Sequence, residues 1–287
     1  MKVLTDCAAD LPVEEAESMD ITVAPLFIQF PEGEVNSNDL SPDEFYQRLE
    51  AMQPHIPTTA QPSAGIFLEL FQKLASSGEE ILSIHISSGL SGTINSARLA
   101  AEKLKDSSVH VVDSLTLSGG QRFQVLAAAR AVKAAWQRAA ILERLEAIRK
   151  ATEVIYTLDT LTYLARGGRI GRVQALAGSL LGIKPIIRVD RTDGKYSTVG
   201  KARTINRALQ DIAAHLVTLY GSETALWVSV LHGKFEEQAR ALASLLKDRL
   251  NVARLEILRV SPVLGVHTGP GVVGAAVLPA HLLEDIK

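Results

Sequence analysis

Between residues 1 and 114, short runs that are nearly all apolar alternate with segments of helical period. No other feature restricts the fold as much. The runs are "KVLTD", "DITVAPLFIQF", "EEILSIHIS" and "SVHVVDS", beginning at Lys2, Asp20, Glu79 and Ser108. Helical spacing of apolar residues covers 41–52, 62–75, 91–105 and 118–149, the last long enough for two helices. A strand with few polar positions is buried on both faces, and helices between successive strands make those strands parallel. An N-terminal α/β domain with a parallel sheet is expected. Ser41, Pro42 and Glu44 supply a helix start: a cap, a first-turn proline and an acid three residues on.

The pattern changes after about residue 150. Strands are expected at 153–160, 185–190, 195–200, 225–232, 252–260 and 271–278, with two long helices at 202–220 and 235–250. Asp193-Gly194 between two strands is a hairpin signal. This predicts a C-terminal α+β layered domain with a mixed sheet. Length fits two domains, and the division is placed between 1–155 and 156–287.

Composition narrows function by exclusion. With 30 basic and 32 acidic residues and no basic block, a dedicated nucleic-acid surface is not expected. Asp6 and Asp10 interrupt what would be the apolar core of a signal peptide, and no apolar run is long enough for a membrane span. Cys7 is the only cysteine, so no intrachain disulfide forms, and a cytoplasmic location is expected. The seven histidines show no paired metal-ligand spacing, so neither a metal nor a cofactor is expected.

Four polar loops fall at element ends, where binding groups concentrate. In "PTTAQPS" (57–63), Thr58, Thr59 and Ser63 precede a helix, and capping is the competing explanation. In "SSGLSGT" (87–93), Ser88, Ser91, Gly92 and Thr93 lead into a helix expected to begin near Ser91. Its first-turn amides and hydroxyls suit a carboxylate or phosphate, with Ser91 merely capping the helix as the competing explanation. In "ARGGRIGR" (165–172), Arg166, Arg169 and Arg172 recur around Gly167 and Gly168, which allow close backbone approach; a solvated surface turn competes. "HTGPGVVG" (267–274) contains a formal G-x-G-x-x-G, but Pro270 and the β-branched pair after it predict a turn and a strand, not a dinucleotide site.

Gly89, Ser91 and Thr93 come within one residue of the hydrolase elbow G-x-S-x-G. Thr93 stands where that elbow needs a small residue for close packing. Hydroxyls, an imidazole, arginines and helix-end amides suit neutralising a carboxylate better than attacking one. A hydrolase or acyltransferase using Ser91 and His267 stays open on the residues alone, as does a binding module for another small acid such as an isoprenoid or retinoid acid.

The chain resembles the DegV family of bacterial fatty-acid-binding proteins over nearly its whole length. The resemblance is carried, in order, by "VLTDCAADLP", "PTTAQPS", "SSGLSGTINSA", "LTYLARGGRI" and "HTGPGVVG". It implies a long-chain fatty acid in a buried apolar tunnel between two domains, with its carboxylate held by Thr59 and Ser91. It further implicates Arg169 and His267 in the head-group site. It implies no catalytic turnover by the chain itself, and a separate ATP-binding fatty acid kinase that phosphorylates the bound ligand to an acyl phosphate for phospholipid synthesis. The segment 176–187, rich in small and apolar residues, suits a tunnel lining, and ordinary core suits it equally. Two departures from the family pattern stand out. Cys7 replaces the usual serine or threonine, with an altered polar contact near the domain interface expected. Gln121 and Arg122 replace small or apolar residues, and would alter acyl selectivity if their helix lines the tunnel.

Overall fold

Strand β1 (Lys2–Asp6) opens a computed structural model that describes residues 1–75, 78–104, 109–177 and 182–286. It is followed by α1 (Val13–Ser18), β2 (Ile21–Ala24), β3 (Phe27–Phe30), β4 (Gly33–Asn36), α2 (Pro42–Ala51), β5 (Thr58–Ala60), α3 (Ala64–Ala75) and β6 (Ile81–His85). Next come α4 (Thr93–Glu102), β7 (Val109–Asp113), α5 (Ser118–Lys133), α6 (Arg138–Ala151), β8 (Glu153–Leu158), α7 (Thr162–Arg166) and α8 (Gln174–Ala177). The chain ends with β9 (Lys184–Val189), β10 (Tyr196–Ala202), α9 (Ile205–Tyr220), β11 (Leu226–His232), α10 (Glu236–Arg249), β12 (Val252–Arg259), α11 (Pro262–Thr268), β13 (Val272–Pro279) and α12 (His281–Glu284).

These elements stack in five layers. The parallel sheet has the order β2-β1-β6-β7. Leu4 and Ile81 turn to one face, where Phe67, Phe71 and Ala97 of α3 and α4 cover them. Val3, Leu82 and Ile84 turn to the other face, against α5 and α6. The mixed sheet has the order β10-β9-β8-β13-β11-β12, with only β11 and β12 parallel. Along β8 the side chains alternate as a strand requires. Val154, Tyr156 and Leu158 point into the α5/α6 layer, while Ile155 joins the core under α9 and α10. One apolar cluster therefore takes residues from both sheets. The division placed after residue 155 falls within β8.

The run 20–30, expected as one strand, is two. Pro25 separates β2 from β3 because it brings no N–H to a ladder, and the two strands serve different sheets. A small antiparallel sheet, β4-β3-β5, was not anticipated. Nor was α11: Ser261 and Pro262 start a helix where a loop was expected, and α11 reaches across to α2 and β3. The Ser41 capping box is present, with Glu44 Oε2 accepting from the Ser41 amide at 3.0 Å.

Gln121 and Arg122 are buried cross-links between layers. Gln121 Nε2 donates to Thr5 Oγ1 at 3.0 Å and to Asp6 Oδ1 at 3.1 Å. Arg122, 1% exposed, donates to Glu15 of α1 at 2.6 Å, to Ser229 Oγ of β11 at 3.2 Å, and to Glu256 of β12. Arg122 thereby ties α1 to the far edge of the mixed sheet. Cys7 is buried at the end of β1, and burial pushes its thiol up to about 12.

Candidate functional site

Four side chains from four separate segments line one cavity of about 280 Å³: Thr59, Ser91, Arg169 and His267. Thr59 reaches it because β5 pairs with β3, Thr59 opposite Ile28, so alternation turns Thr59 inward and leaves Thr58 exposed. His267 is delivered by the last turn of α11, which ends at Gly269 with φ 72°. Arg169 follows Gly168, whose φ of 70° makes the turn. Its guanidinium donates through Nη1 to the Gly167 carbonyl at 2.7 Å and through Nε to the Leu90 carbonyl at 3.3 Å. The arginine thus fastens its own turn to the loop that carries Ser91.

The hydrogen-bond pattern assigns the protons. His267 Nε2 lies 2.8 Å from Thr59 Oγ1. Among the described residues its Nδ1 is buried without a partner, packed so closely on Gly167 that a Cβ there would lie 2.2 Å away. A proton on Nδ1 would be a buried orphan donor, so the proton belongs on Nε2, donating to Thr59. The Thr59 hydroxyl proton is then free to point into the cavity. At Ser91, Oγ lies 2.8 Å from Thr93 Oγ1 and accepts from the Thr93 amide at 3.3 Å. Either hydroxyl can donate in that pair, so Ser91 can turn its proton to Thr93 or to the cavity. Burial first, then the Arg169 charge, lowers His267 to about 4, so the imidazole is neutral at pH 7. Among the described residues the site presents two hydroxyls, a guanidinium and no carboxylate side chain, an arrangement suited to an anion.

Other expected residues fall elsewhere. Ser63 caps α3, its Oγ accepting from the Ile66 amide at 3.2 Å. Ser88 is exposed, and its amide donates to Asp113 Oδ1 at 3.2 Å. Gly92 sits just before α4, which begins at Thr93 and not at Ser91; a Cβ on Gly92 would strike Gln61. Thr93 is fully buried and acts through Ser91. Arg172 pairs with Asp193 at 2.9 Å, and Arg166 with the Pro54 carbonyl. In the 176–187 segment, residues 178–181 lie outside the described residues. Gln121 and Arg122 line neither this cavity nor the one beyond it, so the expected effect on acyl selectivity does not follow from their position.

Gln61, Leu264 and Tyr196 also line the cavity and were not anticipated. Gln61 stood within a polar motif. Tyr196 gave no local signal, since its place depends on strand order. Tyr196 and Leu264 also border a second, apolar cavity of about 30 Å³, walled by Leu117, Tyr156, Leu231 and Val260 among others. Tyr196 and Leu264 therefore stand between the polar cavity and an apolar one.

A second hydroxyl–imidazole–carboxylate chain exists away from this cavity. Ser83 Oγ is 2.6 Å from His85 Nε2, and His85 Nδ1 is 2.9 Å from Asp6 Oδ2. All three residues have no exposure, so no substrate reaches them. Asp6 Oδ2 also accepts from the amide of Ile86, a wall of the 280 Å³ cavity, at 3.0 Å. The chain is a buried anchor for that wall. Among the described residues, no group of His, Cys, Asp and Glu could hold a metal, and no helix is long and apolar enough to cross a membrane.

Comparison with known proteins gives a consistent match. The model of a family described as "Uncharacterised protein, DegV family" covers residues 1–280. A DegV domain-containing protein of Deinococcus radiodurans is 36% identical over 260 residues, 91% of this chain and 90% of its own length. The fatty-acid-binding DegV family protein of Thermus thermophilus superposes with a TM-score of 0.90 at 30% identity, covering 97% of this chain and 99% of that one. DegV of Bacillus subtilis, described as a fatty acid binding protein, gives 0.87 at 30% identity over 96% and 98%.

Proposed function

Because the chain belongs to the DegV family, we propose that it binds one long-chain fatty acid and presents the carboxylate to a separate ATP-binding kinase. The carboxylate takes the cavity of Thr59, Ser91, Arg169 and His267, and the acyl chain runs inward past Tyr196 and Leu264. One observation carries this most: two hydroxyls and a guanidinium converge beside an apolar interior. Each buried methylene contributes ~0.8 kcal/mol, so a sixteen-carbon chain offers roughly 10 kcal/mol of gross driving force before ordering costs. An unpaired carboxylate would cancel much of that gain, which is why several donors must meet it. Phosphoryl transfer to the carboxylate needs orientation and stabilisation of growing negative charge, the part assigned to Arg169.

The geometry speaks against a hydrolase built on Ser91 and His267. Ser91 bonds Thr93 and His267 bonds Thr59, so the imidazole serves a different hydroxyl. No carboxylate orients His267 Nδ1 among the described residues. The test pairs isothermal titration of palmitate with p-nitrophenyl ester hydrolysis, using wild type and Ser91→Ala. One-site binding weakened by the substitution, with no ester turnover above background in either protein, supports the proposal. An acyl adduct on Ser91, or turnover abolished by Ser91→Ala, overturns it in favour of the hydrolase.

A further inference from the structure

The apolar cavity behind the head-group site has a second wall, and beyond that wall lies a groove of about 590 Å³ between the two sheets. At two places the wall is only two residues thick. Ser118 faces the inner cavity and Asp10 faces the groove; Val260 faces the inner cavity and Ser261 faces the groove. The wall is closed by hydrogen bonds to one carboxylate: Ser118 Oγ donates to Asp10 Oδ2 at 2.5 Å, and the Ser261 amide donates to Oδ1 at 2.8 Å.

Both residues of the main contact hold left-handed backbone, Asp10 at φ 50° and Ser118 at φ 54°. Aspartate tolerates it at the end of a helical turn, whereas serine rarely adopts it, and the strain at Ser118 persists where surrounding structure enforces it. The groove is amphiphilic in the right sense. Leu11, Val13, Ala16, Ile21, Val23 and Leu258 make its apolar walls, and Val13 is 66% exposed. The inner cavity of about 30 Å³ is room for little more than one or two water-sized groups. A long acyl tail entering past Tyr196 therefore needs further space, and the groove is the apolar space adjoining the inner wall.

We propose that the Asp10–Ser118 contact is a latch at the far end of the acyl site. Opened, it joins the inner cavity to the groove and admits the terminal carbons of long chains; closed, it limits the site to shorter ones. Asp10 and Ser118 are thus specificity-determining residues for chain length. The inference rests on the fatty-acid reading above.

The test uses wild-type protein and saturated fatty acids of 12 and 20 carbons carrying a diazirine on the terminal carbon. After photolysis, peptide mass spectrometry locates the label. The 20-carbon probe is expected to mark the groove, at Val13, Ala16 or Ile21, and the 12-carbon probe only the inner cavity or head site. Ser118→Gly removes the hydroxyl and relieves the backbone, and should raise the 20- to 12-carbon affinity ratio by about fivefold or more, roughly the worth of one or more newly buried methylenes. The crosslink needs no variant, so it decides even if Ser118→Gly folds poorly. Saturable binding of the 20-carbon probe with no groove label overturns the latch and leaves the lipid reading standing. Failure of wild type to bind either probe overturns both.

Discussion

Thr59→Val isolates a single proton. Valine keeps the β-branch that suits β5 and deletes only the hydroxyl that His267 holds at 2.8 Å. If His267 donates through Nε2, the lost hydroxyl was donating to the ligand carboxylate. A hydrogen bond to a charged group is worth about 1.5–3 kcal/mol, so the Kd for palmitate should rise about 10- to 150-fold. The same change leaves the Nε2–H without an acceptor, which should lower unfolding stability by about 1–3 kcal/mol. That second loss occurs with and without ligand and largely cancels from the affinity. Titration calorimetry gives the first number and urea unfolding the second. Thr58→Val is the internal control: its side chain is exposed on the opposite face of β5, so both quantities should stay within about 0.5 kcal/mol of wild type. An unchanged Kd for Thr59→Val, or equal losses for the two threonines, would refute the proton assignment.

Three further outcomes are expected. Arg169→Ala should keep most palmitate affinity yet lose acyl-phosphate formation with kinase and ATP, and Arg169→Lys should recover only part because an ammonium lacks the planar fork; equal losses in the binding and coupled assays would make Arg169 a plain carboxylate anchor. Unfolded, His267 takes its proton near the ordinary 6.5, but folded only near about 4, so the unfolded chain holds more protons between those values. Its contribution to stability is therefore complete above pH 6.5 and lost as pH falls towards 4, and His267→Gln should erase roughly 2 kcal/mol of difference between pH 4.5 and 7.5 in unfolding experiments. Arg122→Met strands Glu15 and Glu256 and should cost about 3 kcal/mol, most of it regained on adding Glu15→Gln and Glu256→Gln; no recovery in the triple variant would contradict a charge-pairing role.

The parallel sheet was legible because its strands are apolar on both faces, as the opposite destinations of Leu4 and Val3 illustrate. The α+β second half was legible through its hairpin and its two long helices. The break at Pro25 carried a signal, the missing N–H, that a long apolar run concealed. Helix α11 had its Ser-Pro start in plain view, but its seven residues, with a glycine and three β-branched side chains among them, show no clear helical period. At the site, motif order named four residues that the structure gathers in one cavity, yet Thr58, Ser63 and Ser88 carry the same hydroxyl chemistry. Only strand alternation, a cap and exposure separate them from Thr59 and Ser91. Tyr196 had no local signal at all, because its position arises from β10 lying at the edge of the mixed sheet beyond β9 and β8. Arg122 reads as a surface residue by type, and its burial follows from two carboxylates distant in sequence.

Native mass spectrometry of freshly purified protein tests the central claim most directly. One fatty acid per chain is predicted, of sixteen or more carbons, released by organic extraction and restored by adding palmitate. The fraction carrying it should fall in Thr59→Val and Ser91→Ala. A chain that purifies without lipid and takes up none on titration, or that carries a nucleotide or sugar instead, would contradict the account.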